Sequence, residues 1–452
     1  MEFAFLRGTA YGETAYCRKL LSRAGALLAV MVGCSAWAAH TAISLGEAML
    51  LAQQASPSVR TLEAARAAAQ AELADTRALF WNNPQLNLET RRRRLAQPAS
   101  GSGAQQDSAF GINQTFETGG QPRARRAAAE AALEASWQAV EQAKQEAKLE
   151  AAKRFVSVLQ LQLRVDVERA GADLLIQAAQ NMAKRVKAGE DTKLDGNLAQ
   201  VEAERAQAQL SLTQDELSQA RASLATVLQL PAGELPEAVG ALQSEAQPYQ
   251  LDDLLAAARL HPRLQAAGAR ARAAEGKFSL ERANRYPDLT LGVSSSQEKS
   301  LEGADRVTTF TLSLPLPLFR NNGAAIARAD AERAQFQIEL QAARRESEST
   351  VRVLWQRADL LRQRAARLEQ AILPPLLENQ RLSLAALRAG EIGITQFLLA
   401  RRQALEAQRE LSEARAQALL VRLELESTAG WSANAPAAGG LVPAAPHTRE
   451  AR

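Results

Sequence analysis

The feature that most constrains this chain is an internal echo. Asn83-Pro84-Gln85-Leu86-Asn87-Leu88 is answered by Tyr286-Pro287-Asp288-Leu289-Thr290-Leu291, with the prolines 203 residues apart. Val186-Lys187-Ala188-Gly189-Glu190 is answered by Leu387-Arg388-Ala389-Gly390-Glu391, with the glycines 201 apart. Ser56-Pro57-Ser58 and His261-Pro262-Arg263 match at an offset of 205. Landmarks in one order at nearly one offset point to a tandem duplication, so both halves are expected to fold alike. Residues 39–235 form the first structural repeat, 236–250 a connector and 251–430 the second repeat. Residues 431–452, rich in Ala, Pro and Gly, read as a disordered tail.

Each half has the same internal order. A helix of ordinary length comes first (Ser44–Leu79, then Leu251–Arg285). A strand pair follows, then a very long helical stretch (Pro122–Ala188, then Ala324–Ala389). After the Ala-Gly-Glu break a further helix closes the half (Thr192–Leu230, then Gly393–Thr428). At 1.5 Å per residue each long stretch spans roughly 100 Å. Aromatics are only 4% of the chain, against 46% hydrophobic residues. That balance suits long helices in close contact through small side chains better than a thick globular core. Gly119-Gly120-Gln121-Pro122 and Asn321-Asn322-Gly323 are the start signals of the long helices. Pro374-Pro375 interrupts the second one and is expected to kink it.

The strands are amphipathic. From Phe310 to Leu318 every even position is large and apolar, and every odd one is Thr, Ser or Pro. Such a period of two gives one face for lipid and one for a wet interior. Phe110, Ile112, Gln114 and Phe116 repeat it more weakly, and Leu86, Leu88, Leu289, Leu291 and Val293 supply the partner strands. Residues Gln97–Gln106 and Ser294–Asp305 read as polar external loops. Phe80, Trp81, Phe116, Tyr286 and Phe319 fall at strand–helix junctions, where an aromatic belt at a membrane interface belongs. Four strands leave open edges that cannot face lipid. Three copies would close a twelve-stranded barrel, so lipid-facing hairpins imply a homotrimer. The expected fold class is mainly α with membrane β, a 12-stranded trimeric β-barrel continued by a long α-helical coiled-coil barrel; the alternative is a small soluble hairpin capping a coiled coil.

Other classes of function find little support. Cys17 and Cys34 are the only cysteines, and His40, His261 and His447 are scattered, so no metal site or His- or Cys-based active site is expected. No Walker or dinucleotide glycine motif occurs, and no cofactor is expected. The net charge of +4 gives no reason to expect nucleic acid. Residues 1–38 read as a signal peptide: Arg18, Lys19 and Arg23 precede the apolar Ala24–Val32, and Ala36-Trp37-Ala38 offers the cleavage site. Met31-Val32-Gly33-Cys34 loosely matches a lipobox, which leaves Cys34 as an alternative site of lipidation. Arg91-Arg92-Arg93-Arg94 leads out of the first strand, either toward anionic lipid or as a solvated end that blocks edge pairing.

With this layout the chain resembles TolC-like outer-membrane efflux proteins over essentially its whole mature length. The resemblance rests on the repeated helix–hairpin–long helix–helix plan and on the repeated turn at Val186–Gln200 and Leu387–Arg401. It implies a passive exit duct, a homotrimer in outer-membrane lipid that works with a periplasmic adaptor and a proton-driven inner-membrane pump. It also implies that the Gly189-Glu190 and Gly390-Glu391 turns form the periplasmic tips that close the tube. Asp195, six positions after Gly189, matches a gating acid of the family. The bland reading of Asp195 is a helix-start acid favoured by the dipole. In the second repeat the matching acids are Gln396 and Leu399, and an expected Arg is Ile392. The long, Ala- and Arg-rich helices look most like the cobalt–zinc–cadmium branch. The competing readings are a periplasmic adaptor or a structural coiled coil of the envelope. Neither needs amphipathic strand pairs repeated at this offset.

Overall fold

A computed structural model describes residues 42–94, 104–231, 233–242, 249–300 and 303–431. The signal segment, Cys34 and the tail beyond Trp431 lie outside the described residues. The first half runs β1 (Ala42–Ser44), α1 (Leu45–Ala55), α2 (Pro57–Asp75), β2 (Gln85–Arg94), β3 (Ala104–Phe116), α3 (Gln121–Ala188) and α4 (Lys193–Leu228). After β4 (Glu237–Val239) the second half runs α5 (Leu251–Ala258), α6 (Pro262–Ala283), β5 (Leu289–Ser300), β6 (Gly303–Ser313), α7 (Gly323–Arg367), a π segment (Leu368–Ile372), α8 (Leu373–Ala389) and α9 (Ile394–Ala429).

Proline redraws the first helix of each half. The expected Ser44–Leu79 helix is broken at Ser56, and the expected Leu251–Arg285 helix at Arg259–His261. Pro57 and Pro262 cannot donate to the preceding turn, but they start a new helix readily because the first N–H is not needed there. His261 helps by accepting from the Arg263 amide through Nδ1 at 3.2 Å. Upstream, Ser44 and Glu47 close a reciprocal capping box on α1. The corners from sheet to long helix turn on left-handed residues, Gly120 (φ 78°) and Asn322 (φ 61°). The first corner is tied to the opposite half, and the second to the helix that precedes its own strand pair. Gln121 donates to the Tyr286 carbonyl and to Asp288, both at 3.1 Å. Asn322 donates to the Glu281 carbonyl at 2.9 Å.

The four long strands form one antiparallel sheet in the order β2-β3-β5-β6. Its register carries the amphipathic pattern across strands. Leu86 pairs Ile112, Ile112 pairs Val293, and Val293 pairs Phe310, so one apolar row crosses the whole sheet. These four are 65%, 51%, 45% and 82% exposed, which water does not favour. The next row belongs to the opposite face: Asn87, Gly111, Ser294 and Thr309. On that face Thr115 and Thr290 hydroxyls meet at 2.9 Å. Side chains there must be small: a Cβ at Gly111 would stand 2.7 Å from that of Ser294.

The strands differ from expectation at their ends. The strand expected over Phe310–Leu318 stops at Ser313, because Pro315 and Pro317 have no N–H to pair. In the other direction, pairing continues through the polar residues read as loop: β5 runs to Ser300 and β6 begins at Gly303. Likewise β3 starts at Ala104, and Arg91–Arg94 belong to β2 rather than following it. The apolar pattern marks only the part of a strand that needs an apolar medium, whereas backbone pairing has no such limit.

Helix α3 is unbroken for 68 residues. Its counterpart does not kink as a simple proline break. Instead, the turn just before Pro374-Pro375 widens into the π segment, where the Leu373 amide reaches back to the Leu368 carbonyl. The core between helices is thin and rich in alanine. Near the middle it gathers Phe155, Val158, Leu159, Leu224 and Leu228 with Ile43 and Ala238. The last two come from β1 and β4, a short parallel pair that no periodicity in the residues marks. A buried polar group crosses the same bundle. Arg409 donates to Glu168 at 2.6 Å, and Gly171 leaves the space that the Arg401 guanidinium fills. Burial holds Arg401 below its usual pKa, although the Glu168 carboxylate opposes the shift. Among the described residues no helix is long and apolar enough to cross a membrane.

Replacing Phe310 by Arg places a charge on the apolar face, and we expect a loss of ~2–4 kcal/mol in denaturant unfolding from phospholipid vesicles. Thr309→Arg, one residue away on the polar face, should cost less than ~1 kcal/mol in the same measurement.

Candidate functional site

The far end of the helical part is built from two matching turns. Helix α3 ends at Gly189 (φ 81°) and α8 at Gly390 (φ 78°). In the first turn the Glu190 amide reaches the Arg185 carbonyl and the Gly189 amide reaches Val186. In the second, Glu391 reaches Ala386 and Gly390 reaches Leu387. These pairs of bonds define a Schellman turn, which needs a left-handed residue at its centre and so favours glycine. That is why Ala-Gly-Glu recurs.

The two turns stand side by side. Below them, Ala178, Ala179 and Met182 of α3, Ala199 and Ala203 of α4, Leu387 of α8, and Ile394 and Phe397 of α9 form one buried cluster. Ile392, found where the family resemblance implies Arg, packs against that cluster. The residues singled out from sequence divide as follows. Asp195 is the third residue of α4, and Thr192 caps it: the Asp195 amide donates to Thr192 Oγ1 at 3.1 Å, and that hydroxyl donates to Asp195 Oδ2 at 2.6 Å. The helix-start role of Asp195 is thus realised in this chain. Glu190, Glu391 and Gln396 are exposed, and Leu399 is 59% exposed.

Arg185 and Asp191 escaped the sequence reading. Arg185 Nη1 donates to the Leu387 carbonyl at 2.9 Å, and so spans from the first turn to the second. Its Nε lies 2.6 Å from Asp191 Oδ2 and 3.6 Å from Glu190 Oε2. The closer approach is a charge contact without hydrogen-bond alignment, so the directional bond goes to the carbonyl. The signal was present as Arg four residues before the glycine and Asp two after it. A cationic residue in a last helical turn is common enough to pass as dipole compensation.

The aromatics gather at the opposite end. Phe80 and Trp81 precede β2, Phe116 ends β3, Tyr286 precedes β5 and Phe319 follows β6. Antiparallel pairing puts all five at the end of the sheet where the helices begin. Phe80 meets Phe116 edge-on at 5.5 Å, and Arg125 lies 3.9 Å above the Trp81 ring. Among the described residues no group of three or more His, Cys, Asp or Glu could hold a metal ion.

A sheet with one apolar face, carried on helices that run ~100 Å to a pair of matching turns, is the layout of a channel-forming protein of the bacterial envelope. Residues 49–228 and 255–430 match the family described as outer membrane efflux protein, and the chain belongs to that family. It is an exit duct of the outer membrane with a large periplasmic helical part. Members of this family are channels rather than enzymes. One relative is the cobalt-zinc-cadmium resistance protein CzcC of Cupriavidus metallidurans, 27% identical over 307 residues, covering 67% of this chain and 71% of the relative. Among solved structures, a membrane protein from Pseudomonas aeruginosa superposes with a TM-score of 0.71 at 21% identity, covering 86% of this chain and 90% of the other. The Campylobacter jejuni CmeC outer membrane channel superposes with a TM-score of 0.73 at 12% identity, covering 85% of each chain.

The two glycines should respond unequally to substitution. Both Gly189→Ala and Gly390→Ala lose about 1 kcal/mol through the left-handed backbone. At Gly189 an added Cβ meets open space, whereas at Gly390 it would lie 3.3 Å from Arg185 Nη2. Gly390→Ala should therefore be the more sensitive to limited proteolysis at the tips.

Proposed function

We propose that three copies of this chain close into a twelve-stranded barrel in the outer membrane, with the helices continuing as one tube across the periplasm. The observation that carries this reading is the sheet register. One apolar face runs across four strands, and β2 and β6 are left as open edges. In lipid an unpaired edge costs several kcal/mol per group, and pairing β6 of one copy with β2 of the next removes it. Phe80, Trp81, Phe116, Tyr286 and Phe319 form the interfacial belt nearest the periplasm. The chain arose by tandem duplication, so three copies give six similar units around the tube; the recurrence of element order supports this.

The duct is passive and needs no cofactor. An adaptor in the periplasm meets the Gly189-Glu190 and Gly390-Glu391 turns, and a proton-driven inner-membrane pump supplies the energy. Asp195 from three copies lines the pore near the tips as a ring of negative charge, with exposed Gln396 on the second turn. That the Cupriavidus relative is a cobalt-zinc-cadmium resistance protein supports a heavy-metal cargo, with those three metals as the first candidates.

Protein extracted from outer membranes should run as a trimer on an unheated detergent gel. A monomer that fractionates with the periplasm would return the chain to the adaptor reading. In planar bilayers Asp195→Asn should lower cation selectivity; identical selectivity would leave Asp195 as a helix cap alone. A deletion strain should become sensitive to cobalt, zinc or cadmium before it becomes sensitive to organic drugs.

A further inference from the structure

We infer that the outer end of the sheet's apolar face seats the phosphate groups of anionic lipid in the outer leaflet, with Arg92 and Arg306 as its cations; this rests on the exit-duct reading and names the lipid that surrounds the duct's mouth. The strand register sorts the charged residues beyond the apolar rows by face. From the row of Leu86, Ile112, Val293 and Phe310 outward, every second position stays on the apolar face. Four residues further along each strand, Thr90, Ser108, Gln297 and Arg306 pair in one line across the sheet. Arg92 follows on β2, opposite Gln106. All of these are exposed.

The positions between belong to the polar face, and the acids are there. Glu89 stands opposite Ala109, Arg91 opposite Asp107, and Glu298 opposite Asp305. Arg91 reaches Glu89 at 3.1 Å on that face. Asp305 and Arg306 are neighbours in the chain yet fall on opposite faces. Among the described residues, the apolar face of the four strands carries no acid, and neither Arg92 nor Arg306 has a hydrogen bond or an ion pair. Two cations are thus turned outward without a carboxylate beside them.

Their level fits a headgroup. Phe116 marks the periplasmic interface, and Gln106, opposite Arg92, lies ten residues further along the same strand. At ~3.4 Å per residue that is roughly 34 Å along the strand, and about 26 Å across the membrane at a tilt of ~40°. Ser108, in the row of Arg306, lies at roughly 21 Å by the same measure. The apolar band of an outer-membrane barrel is ~25 Å tall, so the two guanidinium groups bracket its outer boundary. A guanidinium fork binds phosphate oxygens in pairs, and the hydroxyls of Thr90 and Ser108 add neutral donors.

Charge on an edge strand ordinarily keeps it from pairing. Here β2 and β6 are the edges that the closed ring joins. Arg92 of one copy and Arg306 of the next then lie on neighbouring strands, ~4.8 Å apart, at the same outer end. Like charges so placed repel, and a phosphate between them turns repulsion into attraction.

The test uses the full-length trimer in neutral detergent, with assembly checked on an unheated gel. The probes are a bisphosphorylated glycolipid, lipid A, and the same lipid stripped of its phosphates. Bound lipid is counted per trimer by native mass spectrometry over a titration. Wild type should bind the phosphorylated lipid about tenfold more tightly than the stripped one. Arg92→Gln and Arg306→Gln should each weaken that binding about fivefold, and the double variant about twentyfold. Arg91→Gln removes the same charge one residue away, on the polar face, and should bind as wild type. Excess inorganic phosphate should leave most of the lipid bound; complete displacement would make this a site for free phosphate and overturn the lipid seat. Equal binding of the two lipids, or equal losses in Arg91→Gln and Arg92→Gln, overturns the seat and leaves the duct standing. A wild-type protein that yields no trimer from outer membranes removes the duct reading itself. Should the double variant fail to assemble, unchanged affinity in both single variants overturns the seat equally.

Discussion

Backbone groups in an apolar medium have nowhere to go but to each other, and this chain is organised around that demand. Its four long strands satisfy one another internally, yet β2 and β6 each keep one side unpaired. The apolar row from Leu86 to Phe310 draws the sheet toward hydrocarbon, where those two sides are least tolerable. The same pressure reaches the helices. Two long helical stretches leave the sheet through left-handed corners at Gly120 and Asn322, pinned by Gln121 and by Asn322 itself. Whatever ring the strands form therefore sets the spacing of the helices beneath it.

Much of this was readable in the residues. Period-two alternation gave the sheet's faces, and the repeated Ala-Gly-Glu gave both turns, because each reports a local steric rule that tertiary context does not override. The breaks at Ser56 and His261 were also written locally, as residues before proline, but continuous helical periodicity on either side masked them. Strand ends were harder. Ser294–Ser300 pairs as strand although nothing apolar marks it, since both faces there are polar and the backbone alone decides. The parallel pair β1–β4 joins residues almost two hundred positions apart through three-residue strands, too short to carry any period.

The tip shows the limit of reading by position. Matching residues to the family's second turn finds an amide and two aliphatic side chains where charges were expected. The charges are present one turn over, and their partner is a carbonyl, which every residue has and no sequence comparison can mark. Asp195, the acid that did match, is occupied with Thr192 at the start of α4.

The π segment bears on symmetry. A wide turn takes in more chain than an α-turn, so every side chain below Ile372 is rotated about the helix axis relative to an unbroken helix. Helix α3 has no such step and keeps its phase through all 68 residues. Near the sheet the two long helices are near-equivalents, and three copies would there approximate a sixfold ring. Past Leu368 the two kinds of helix would fall out of phase, and in a trimer only the threefold would survive. Such a tube would be round at one end and triangular at the other, and could narrow without any helix becoming longer or shorter.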